Sequence, residues 1–523
     1  MNELSKEDKP PYYISLNVTD VSNLSITSRF GKLINSNDSK SRILDIDLRV
    51  GNHQFDNTHI IRGNPFNFGS GAGVVNLPLE DDENAIRNAV WFSIDKKFRA
   101  AVERYDKALT NQAVKVAEED SSADFSRELP VKFSGDIKNV TTSKSKWEDF
   151  TKRVSLEFSK HPFIYTSSVS FTAENRIKYF LNSEGSKLQW QEVGYRIFVN
   201  ASTKADDGMS LPLYRSYFSF TEEGLPNEKD IIKDIQKMVE LLSELRNAPM
   251  AETFSGPAIL SGEASGVFFH EIFGHRVEGH REKDPNSSQT FKKSINKKIL
   301  PEFMNVYFDP TKNKLRGVDL SGYYKYDDEG VLGSRVNTVE NGIFRNFLMS
   351  RSPIEGFSNS NGHGRRQAGY SVVSRQSNLI VESDKVVSKQ KLIQMLKEEI
   401  KKQNKEYGLF FEEVSGGFTF TSRTIPNAFN VTPLVVYKVY ADDRKEELVR
   451  GVDLIGTPLM TFANIIAAAD DMGIFNGICG AESGGVPVSA CSPSILVSTI
   501  EVQKKQKSQA KPPILSSPVT ENQ

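Results

Sequence analysis

Apolar and polar residues alternate along the first fifty positions of the chain. Ile14, Leu16 and Val18 occupy every second position, and the same spacing returns over residues 43–50. Alternation with a period of two is typical of strands that bury one face, and the polar run at 35–39 predicts a turn between the two stretches. The chain is therefore expected to begin with an antiparallel hairpin.

A period of 3.6 residues then takes over in three separate stretches. It predicts helices over residues 81–109, 147–158 and 226–246, the first of which opens with the acids Asp81-Asp82-Glu83 at the positive end of its dipole. Residues 163–220 return to strand patterns, with turn sequences at 182–185 and 206–208. The first half of the chain thus mixes an antiparallel sheet with long helices.

Beyond the third helix, strand and turn patterns predominate. They predict strands over 330–336, 379–381, 418–420 and 495–502, a hairpin over 338–347 that turns at Glu340-Asn341-Gly342, and helices over 391–403 and 458–470.

These patterns predict an α+β fold built from two domains. Residues 1–225 form a mixed α/β N-terminal domain with an antiparallel sheet and long helices, and residues 226–255 form a helical hinge. Residues 256–503 form a β-rich C-terminal domain. Residues 504–523 are polar and contain proline, which predicts a mobile tail.

The strongest chemical signal is His270-Glu271 followed by His275, on an apolar stretch of helical pattern. Two histidines four apart share one face of a helix and bind zinc in many peptidases, with the adjacent glutamate as general base. Here the spacing is five, which places the imidazoles roughly 140° apart on a regular helix. A π-type widening at Gly274 would bring them together, and we expect one there.

A buried Glu271 between imidazoles is costly unless a cation is present, which favours a metal over two ordinary buried histidines. Catalytic zinc normally has three protein ligands and one open position. Cys479, in the glycine-flanked turn predicted at 477–480, is the preferred third ligand. The alternatives left open by the chemistry are His280, His363 and Cys491, the last among small residues that suggest a buried structural thiol.

The composition of the 523 residues excludes several classes of protein. A formal net charge of −1 argues against binding to nucleic acid or to anionic membranes, and no apolar run is long enough to span a bilayer. Two cysteines cannot form a disulfide framework and fit a reducing compartment. With no recognisable signal sequence at Met1, we expect a soluble, cytoplasmic protein.

Several motifs together resemble the TldD/PmbA family of zinc-dependent peptidases. They are His270-Glu271-x-x-x-His275 with Glu278-Gly279, Asp327-Asp328-Glu329-Gly330, Glu340-Asn341-Gly342, Gly362-His363-Gly364-Arg365-Arg366, and Gly477-Ile478-Cys479-Gly480. One departure is His280-Arg281, where many members of the family have an acid after the Glu-Gly pair.

The resemblance implies a TldD-like, metal-bearing subunit in which His270, His275 and Cys479 bind Zn²⁺ and Glu271 is the catalytic acid and base. It also implies a dimer that encloses the active site, formed either by two copies or with a PmbA-like subunit. Peptides or small unfolded proteins would be the substrates. The alternative hypothesis is a non-catalytic peptide-binding or regulatory subunit, whose structural metal would have a fourth protein ligand such as His280.

Overall fold

The structure is a computed structural model, and it describes residues 3–61, 74–113, 120–419, 421, 429–456, 462–505, 511–513 and 515. Helices and strands occur throughout these residues, so the predicted α+β class is confirmed. No helix of the described part of the chain combines the length and the apolar character needed to cross a membrane.

The N-terminal elements follow the predicted order of a hairpin, two helices, three strands and a third helix. They are β1 (Pro11–Arg29), β2 (Lys32–Val50), β3 (Val75–Asn76), α1 (Glu83–Ala113), β4 (Lys132–Ser134), α2 (Lys144–Leu156), β5 (Thr166–Asn182), β6 (Lys187–Lys204), β7 (Ser210–Ser219) and α3 (Glu228–Asn247).

The hairpin turn lies at Phe30-Gly31, so the turn predicted at 35–39 is wrong. Both turn residues have positive φ, the backbone that a two-residue hairpin turn requires. Residues 35–39 instead pair with β1, with Asn35 opposite Thr27. This part of β2 is largely exposed, which explains why its side chains are polar although its backbone is extended.

The N-terminal sheet has the order β3-β2-β1-β5-β6-β4 within the described residues, and β7 pairs with β6. Helix α1 packs on the β2 end through a cluster that includes Leu44, Leu48 and Phe98. Helices α2 and α3 pack in a second cluster with residues of β5, β6 and β7. The predicted amphipathic faces therefore do cover this sheet.

The C-terminal elements are mostly strands. They are β8 (Phe254–Leu260), α4 (Gly262–Ile272), α5 (His280–Lys283), β9 (Met304–Phe308), β10 (Lys314–Leu315), β11 (Val318–Asp319), β12 (Val336–Glu340), β13 (Ile343–Phe344), β14 (Gly364–Arg365), β15 (Val373–Ser374), β16 (Asn378–Ser383), β17 (Val386–Val387), α6 (Lys389–Lys402), β18 (Tyr407–Thr419), β19 (Phe429–Tyr440), β20 (Glu447–Val449), β21 (Val452–Gly456), β22 (Ile465–Ala469), β23 (Gly473–Ala481), β24 (Gly484–Ser492) and β25 (Ile495–Lys504).

Two C-terminal sheets enclose α4. In the described residues one sheet has the order β13-β12-β9-β16-β24-β23, and the other has the order β17-β22-β25-β21-β19-β18-β8 with β20 beside β19. The apolar side chains of α4 share one core with residues from both sheets. Helix α6 packs in a separate cluster with Ile259, Val439 and Leu496 of the second sheet. The helix that carries His270 is thus buried between two sheets, and β23 lies at an edge.

Two predicted C-terminal elements are only partly right. In the predicted helix 458–470, residues 462–463 are helical and 465–469 form β22, which pairs with β25, while 458–461 lie outside the described residues. In the predicted strand 330–336 only Val336 belongs to a strand. The run at 465–469 is short and apolar, so pairing with β25 and not its own pattern makes it a strand.

The hairpin turn at Asn341-Gly342 is confirmed, with both residues at positive φ. The proposed boundaries after residues 225 and 255 remain predictions. Most of the tail over 504–523 lies outside the described residues.

Candidate metal centre

Helix α4 delivers the first histidine to the site. Ser261 caps it, because its side chain accepts a hydrogen bond from the Ala264 N–H at 3.2 Å. Phe268 and Phe269 have no exposed surface, so burial of this stretch fixes the helix between the two sheets. His270 and Glu271 then fall in its last turn.

The helix ends at Ile272, and Gly274–Arg276 form a short 3₁₀ turn, so the predicted π-type widening is wrong. The tighter turn redirects the chain and leaves the rings of His270 and His275 with centroids 5.0 Å apart. Glycine at position 274 has a different role from the one predicted. A Cβ there would overlap with the side-chain amide of Gln376, which packs against the backbone of the turn.

Cys479 comes from β23, 204 residues after His275. The predicted turn at 477–480 is therefore also wrong, since these residues pair with β24 in an antiparallel ladder. Alternation along the strand places Cys479 inward, beside Val486 and Val488, whereas Ile478 is 62% exposed. Gly480 leaves the position after Cys479 without a side chain.

The side chains of His270, His275 and Cys479 converge, with one ligand atom from each within 4.8 Å of the others. Cys479 Sγ lies 3.4 Å from His275 Nε2. Zn–S and Zn–N bonds of ordinary length at a tetrahedral angle separate the two ligand atoms by about 3.5 Å. His270 Nδ1 is buried and has no hydrogen-bond partner among the described residues. A thiolate and two imidazoles at this spacing fit zinc.

The alternative ligands lie elsewhere. His280 Nε2 pairs closely with the Glu482 carboxylate. His363 Nε2 is 3.1 Å from Ser377 Oγ, and burial lowers the pKa of this imidazole to about 3. Cys491 packs with Tyr307, Leu320 and Ile380, and burial raises the pKa of its thiol to about 12.

A buried carboxylate orients His275. Glu278 Oε2 lies 3.3 Å from His275 Nδ1, and Glu278 has no exposed surface. The same oxygen accepts a hydrogen bond from Arg281 Nε at 2.9 Å, and Glu278 Oε1 is 3.4 Å from Arg375 Nε. Metal-binding histidines commonly make such a bond through their second nitrogen. Sequence reasoning named Glu278 only as part of a motif and missed Arg375, which no local pattern marks.

His275, Cys479 and Glu278 form one network of charges. Burial lowers the pKa of His275, but Cys479 and Glu278 offset this effect and raise the pKa overall. Burial raises the pKa of Cys479, yet His275 and His270 bring it well below its usual value. Burial likewise opposes ionisation of Glu278, and His275 and Arg281 still lower its pKa to about 2. The two histidines therefore favour the thiolate form of Cys479.

Glu271 lies beside the three converging side chains. Its Oε2 is 4.0 Å from His275 Nε2, and its side chain is mostly buried. This places a carboxylate within reach of a water molecule at the centre, as a general base requires.

The site opens into a cavity of about 560 Å³. Its lining includes Glu271 and the three converging side chains. On one side it is lined by the end of β18, and on the other by β23. Phe418 is 50% exposed and Ile478 is 62% exposed, so each wall presents an apolar side chain. The cavity thus has Glu271 and the three converging side chains at its base and apolar side chains on its walls.

The C-terminal half of the chain, which carries the three converging side chains, is similar to known metallopeptidases. Residues 253–504 match the family model described as the PmbA/TldA metallopeptidase C-terminal domain. A protein of Methanothermobacter thermautotrophicus named metalloprotease is 26% identical over 64% of this chain and 69% of its own length. A protein of Saccharolobus solfataricus named zinc metalloprotease TldD homolog is 27% identical over 52% of this chain and 56% of its own length.

Solved structures match nearly the whole fold. TldE from Thermococcus kodakarensis superposes with a TM-score of 0.60 at 13% identity, covering 94% of this chain and 97% of TldE. A Thermotoga maritima protein named as a candidate modulator of a DNA gyrase has a TM-score of 0.61 at 16% identity, covering 94% and 96% of the two chains. At these identities the likeness concerns the fold alone.

Proposed function

Because the chain belongs to the TldD/PmbA family, we propose that it is a zinc-dependent peptidase that hydrolyses peptides or small unfolded proteins. The observation that carries the proposal is the convergence of His270, His275 and Cys479 within 4.8 Å at the base of a cavity. His270 lies on α4, His275 lies on the 3₁₀ turn that follows it, and Cys479 lies on an edge strand far along the chain. Chance packing rarely brings such a donor set together in a buried place.

In the proposed mechanism, His270, His275 and Cys479 would hold the zinc ion. When bound there, zinc would supply Lewis acidity toward water and toward the peptide carbonyl. Glu271 takes the proton of the attacking water and transfers it to the leaving amine. Glu278 keeps the ring of His275 oriented through its bond to Nδ1, 3.3 Å away.

The edge of β23 supports an extended peptide as the substrate. Ile478 pairs with Pro487, which has no N–H to donate across the ladder. In an antiparallel pair the hydrogen-bonded positions alternate, so the backbone groups of Ile478 and Gly480 face the outer edge of the sheet. Arg196 Nη1 donates to Asn476 O at 2.9 Å, which agrees with this alternation. A peptide strand beside Ile478 would pair with these groups next to the metal.

The walls favour a substrate that is unfolded. Phe418 and Ile478 offer apolar contacts that a flexible chain can meet, whereas a folded protein hides both its backbone and its apolar side chains. We infer that recognition rests on backbone pairing and apolar contact rather than on net charge.

The competing hypothesis of a structural metal requires a fourth protein ligand. Among the described residues, three donors cluster at this point, and His280, the expected fourth, pairs with Glu482 instead. A three-donor site beside a cavity favours catalysis over a closed structural site.

The proposal also includes the setting of the enzyme. We propose a dimer with a second copy or with a PmbA-like subunit, and a cytoplasmic location, where reducing conditions keep the Cys479 thiolate free to bind metal.

The test is zinc analysis of the wild-type protein beside Cys479→Ser, with digestion of an unfolded peptide library by each. We expect about one zinc per wild-type chain and library cleavage that chelators abolish. Cys479→Ser should lose both. Cys491→Ser, which removes the other thiol, should keep both. A wild-type protein that binds zinc tightly but leaves the library intact would contradict the proposed catalysis, and one that binds no zinc would contradict the whole proposal.

A further inference from the structure

Arg375 and Gln376 contact every part of the chain that supplies a proposed ligand. They lie between β15 and β16, and neither has any exposed surface. Burying two consecutive polar residues costs free energy unless they form hydrogen bonds. Their hydrogen-bond partners therefore indicate which parts of the chain they stabilise.

Arg375 fixes the segment that carries Cys479. Its Nη2 donates to Cys479 O at 2.6 Å, and its Nη1 donates to Ser483 Oγ at 2.7 Å and to Gly484 O at 3.0 Å. The guanidinium therefore holds both the ligand residue and the turn from β23 into β24. Its planar group of donors suits several fixed acceptors at once.

The same guanidinium reaches the carboxylate that orients His275. Arg375 Nε lies 3.4 Å from Glu278 Oε1, and the other oxygen of Glu278 lies 3.3 Å from His275 Nδ1. Arg375 and Glu278 are both fully buried, so water does not screen this pair. One side chain thus links the position of the sulfur to the position of an imidazole.

Gln376 contacts the third ligand segment. Its Nε2 donates to His270 O at 3.3 Å, at the end of α4. Its amide also packs against Gly274, where a Cβ would overlap with it. The side chain therefore supports the turn between His270 and His275.

The hairpin formed by β14 and β15 holds Arg375 and Gln376 in place. The Arg375 N–H donates to His363 O at 2.9 Å, and Arg365 Nη1 donates to Gln376 O at 2.5 Å. Arg365 itself lies over the ring of Tyr324. This gives a physical reason for the motif at 362–366, whose residues lie outside the cavity.

We propose that Arg375 and Gln376 are positioning residues that set the separation of His270, His275 and Cys479 before zinc binds. This inference rests on the proposed zinc site. It predicts that the two side chains control metal affinity and coordination geometry without touching the metal.

The test measures zinc affinity by competition with a chelator, together with the absorption spectrum of the cobalt-substituted protein. Arg375→Lys keeps the charge but cannot donate to both Cys479 O and Ser483 Oγ while it forms the ion pair with Glu278. It should weaken zinc binding about 10- to 100-fold, the range seen for partners of metal ligands, and alter the cobalt bands that report a tetrahedral thiolate site. Gln376→Met, which removes only the bond to His270 O, should act in the same direction.

Arg351→Lys is the matched control. Arg351 is 1% exposed, pairs with Glu184 and donates to Ser126 O, and it contacts none of the three ligand segments. It should lower the melting temperature of the metal-free protein as a buried arginine variant does, yet leave zinc affinity and the cobalt spectrum unchanged.

The outcomes separate this inference from the proposed function. Wild-type zinc affinity and an unchanged cobalt spectrum in both Arg375→Lys and Gln376→Met would overturn the inference while the zinc site stood. Equal losses of affinity in Arg351→Lys and Arg375→Lys would overturn it too, by showing a general effect on folding. If Arg375→Lys did not fold, the result with Gln376→Met would decide. A wild-type protein that binds neither zinc nor cobalt would overturn the proposed function and the inference together.

Discussion

Cys479 Sγ and His275 Nε2 lie 3.4 Å apart, although 204 positions separate the two residues in the sequence. Each group shifts the pKa of the other: His275 lowers the pKa of the Cys479 thiol and Cys479 raises the pKa of the His275 imidazole, and in both groups the charge of the partner outweighs burial. A divalent ion that enters would displace the imidazole proton. The site exists only when α4 and β23 have met, so metal binding and folding of the C-terminal sheets are coupled.

Glu271→Gln should separate metal binding from catalysis. The variant keeps the size and a hydrogen-bonding group of the side chain but cannot accept a proton, so turnover should fall about 10²- to 10⁴-fold. Zinc content should stay at the wild-type value, because Glu271 is not among the three converging donors. Peptide cleavage rates and metal analysis of the same preparation measure the two effects.

Glu263→Gln is the control, because Glu263 lies in the first turn of the same helix and does not line the cavity. It should retain wild-type turnover. A Glu271→Gln enzyme with turnover close to that of the wild type would contradict the assignment of the base.

Gly274→Ala should weaken the metal site through Gln376. A methyl group at position 274 overlaps with the Gln376 amide and must displace it, which loosens the turn between His270 and His275. We expect at least a tenfold loss of zinc affinity, measured by chelator competition. Gly480→Ala adds a methyl group next to Cys479, where nothing lies within 4 Å, and should bind zinc as the wild type does. Equal affinities of the two variants would contradict this role of the glycine.

The sequence predicts which side chains converge better than it predicts the backbone that carries them. Residue chemistry and the resemblance to a family pointed to His270, His275 and Cys479, and these three side chains do converge. The backbone was predicted wrongly at both segments, as a π-type widening at Gly274 and as a turn at 477–480. The first error arose because the shape of the turn depends on Gln376, about a hundred residues away. Local periodicity carries no information about such a contact.

The fold, like the site, is predicted well where long local patterns determine it and poorly where distant contacts do. Long periodic stretches such as α1 and α3 are confirmed because their apolar faces repeat over many turns. The polar half of β2 was assigned to a turn, since its partner β1 and not its own composition makes it a strand. The apolar run at 465–469 lacked any signal to separate a strand from a helix, and pairing with β25 decided it. No local sequence pattern marks Arg375 for the same reason. Its contacts with Glu278 and Cys479 span 97 and 104 positions of the chain.

Ile478→Lys should weaken substrate binding more than catalysis. Ile478 is exposed at the edge of β23 and lines the cavity, so a peptide strand would bury part of its side chain. Loss of about 1 kcal/mol of apolar contact raises KM about fivefold, and kcat should change little because this contact is also present in the ground state. Steady-state kinetics on an unfolded peptide with apolar residues measure both constants.

Val386→Lys is the matched control for that change. Val386 is 51% exposed on β17 and does not line the cavity, so its KM should equal that of the wild type. If Ile478→Lys left KM unchanged, the peptide would have to bind along another wall.

His363 should make the metal-free protein less stable in mild acid. Burial lowers the pKa of this imidazole to about 3, below its ordinary value of 6.5. Between these two values the unfolded chain binds a proton that the folded chain does not, so stability rises with pH across this window and is lost as pH falls below about 6.5. The loss approaches about 1.4 kcal/mol per pH unit for one group. His363→Gln removes the titration and keeps a side chain able to bond Ser377. The urea midpoints of chelator-treated protein, measured between pH 7 and pH 5, should therefore fall less steeply in the variant than in the wild type. If the midpoints of the two proteins fell in parallel, His363 would be protonated in the folded state at an ordinary pKa.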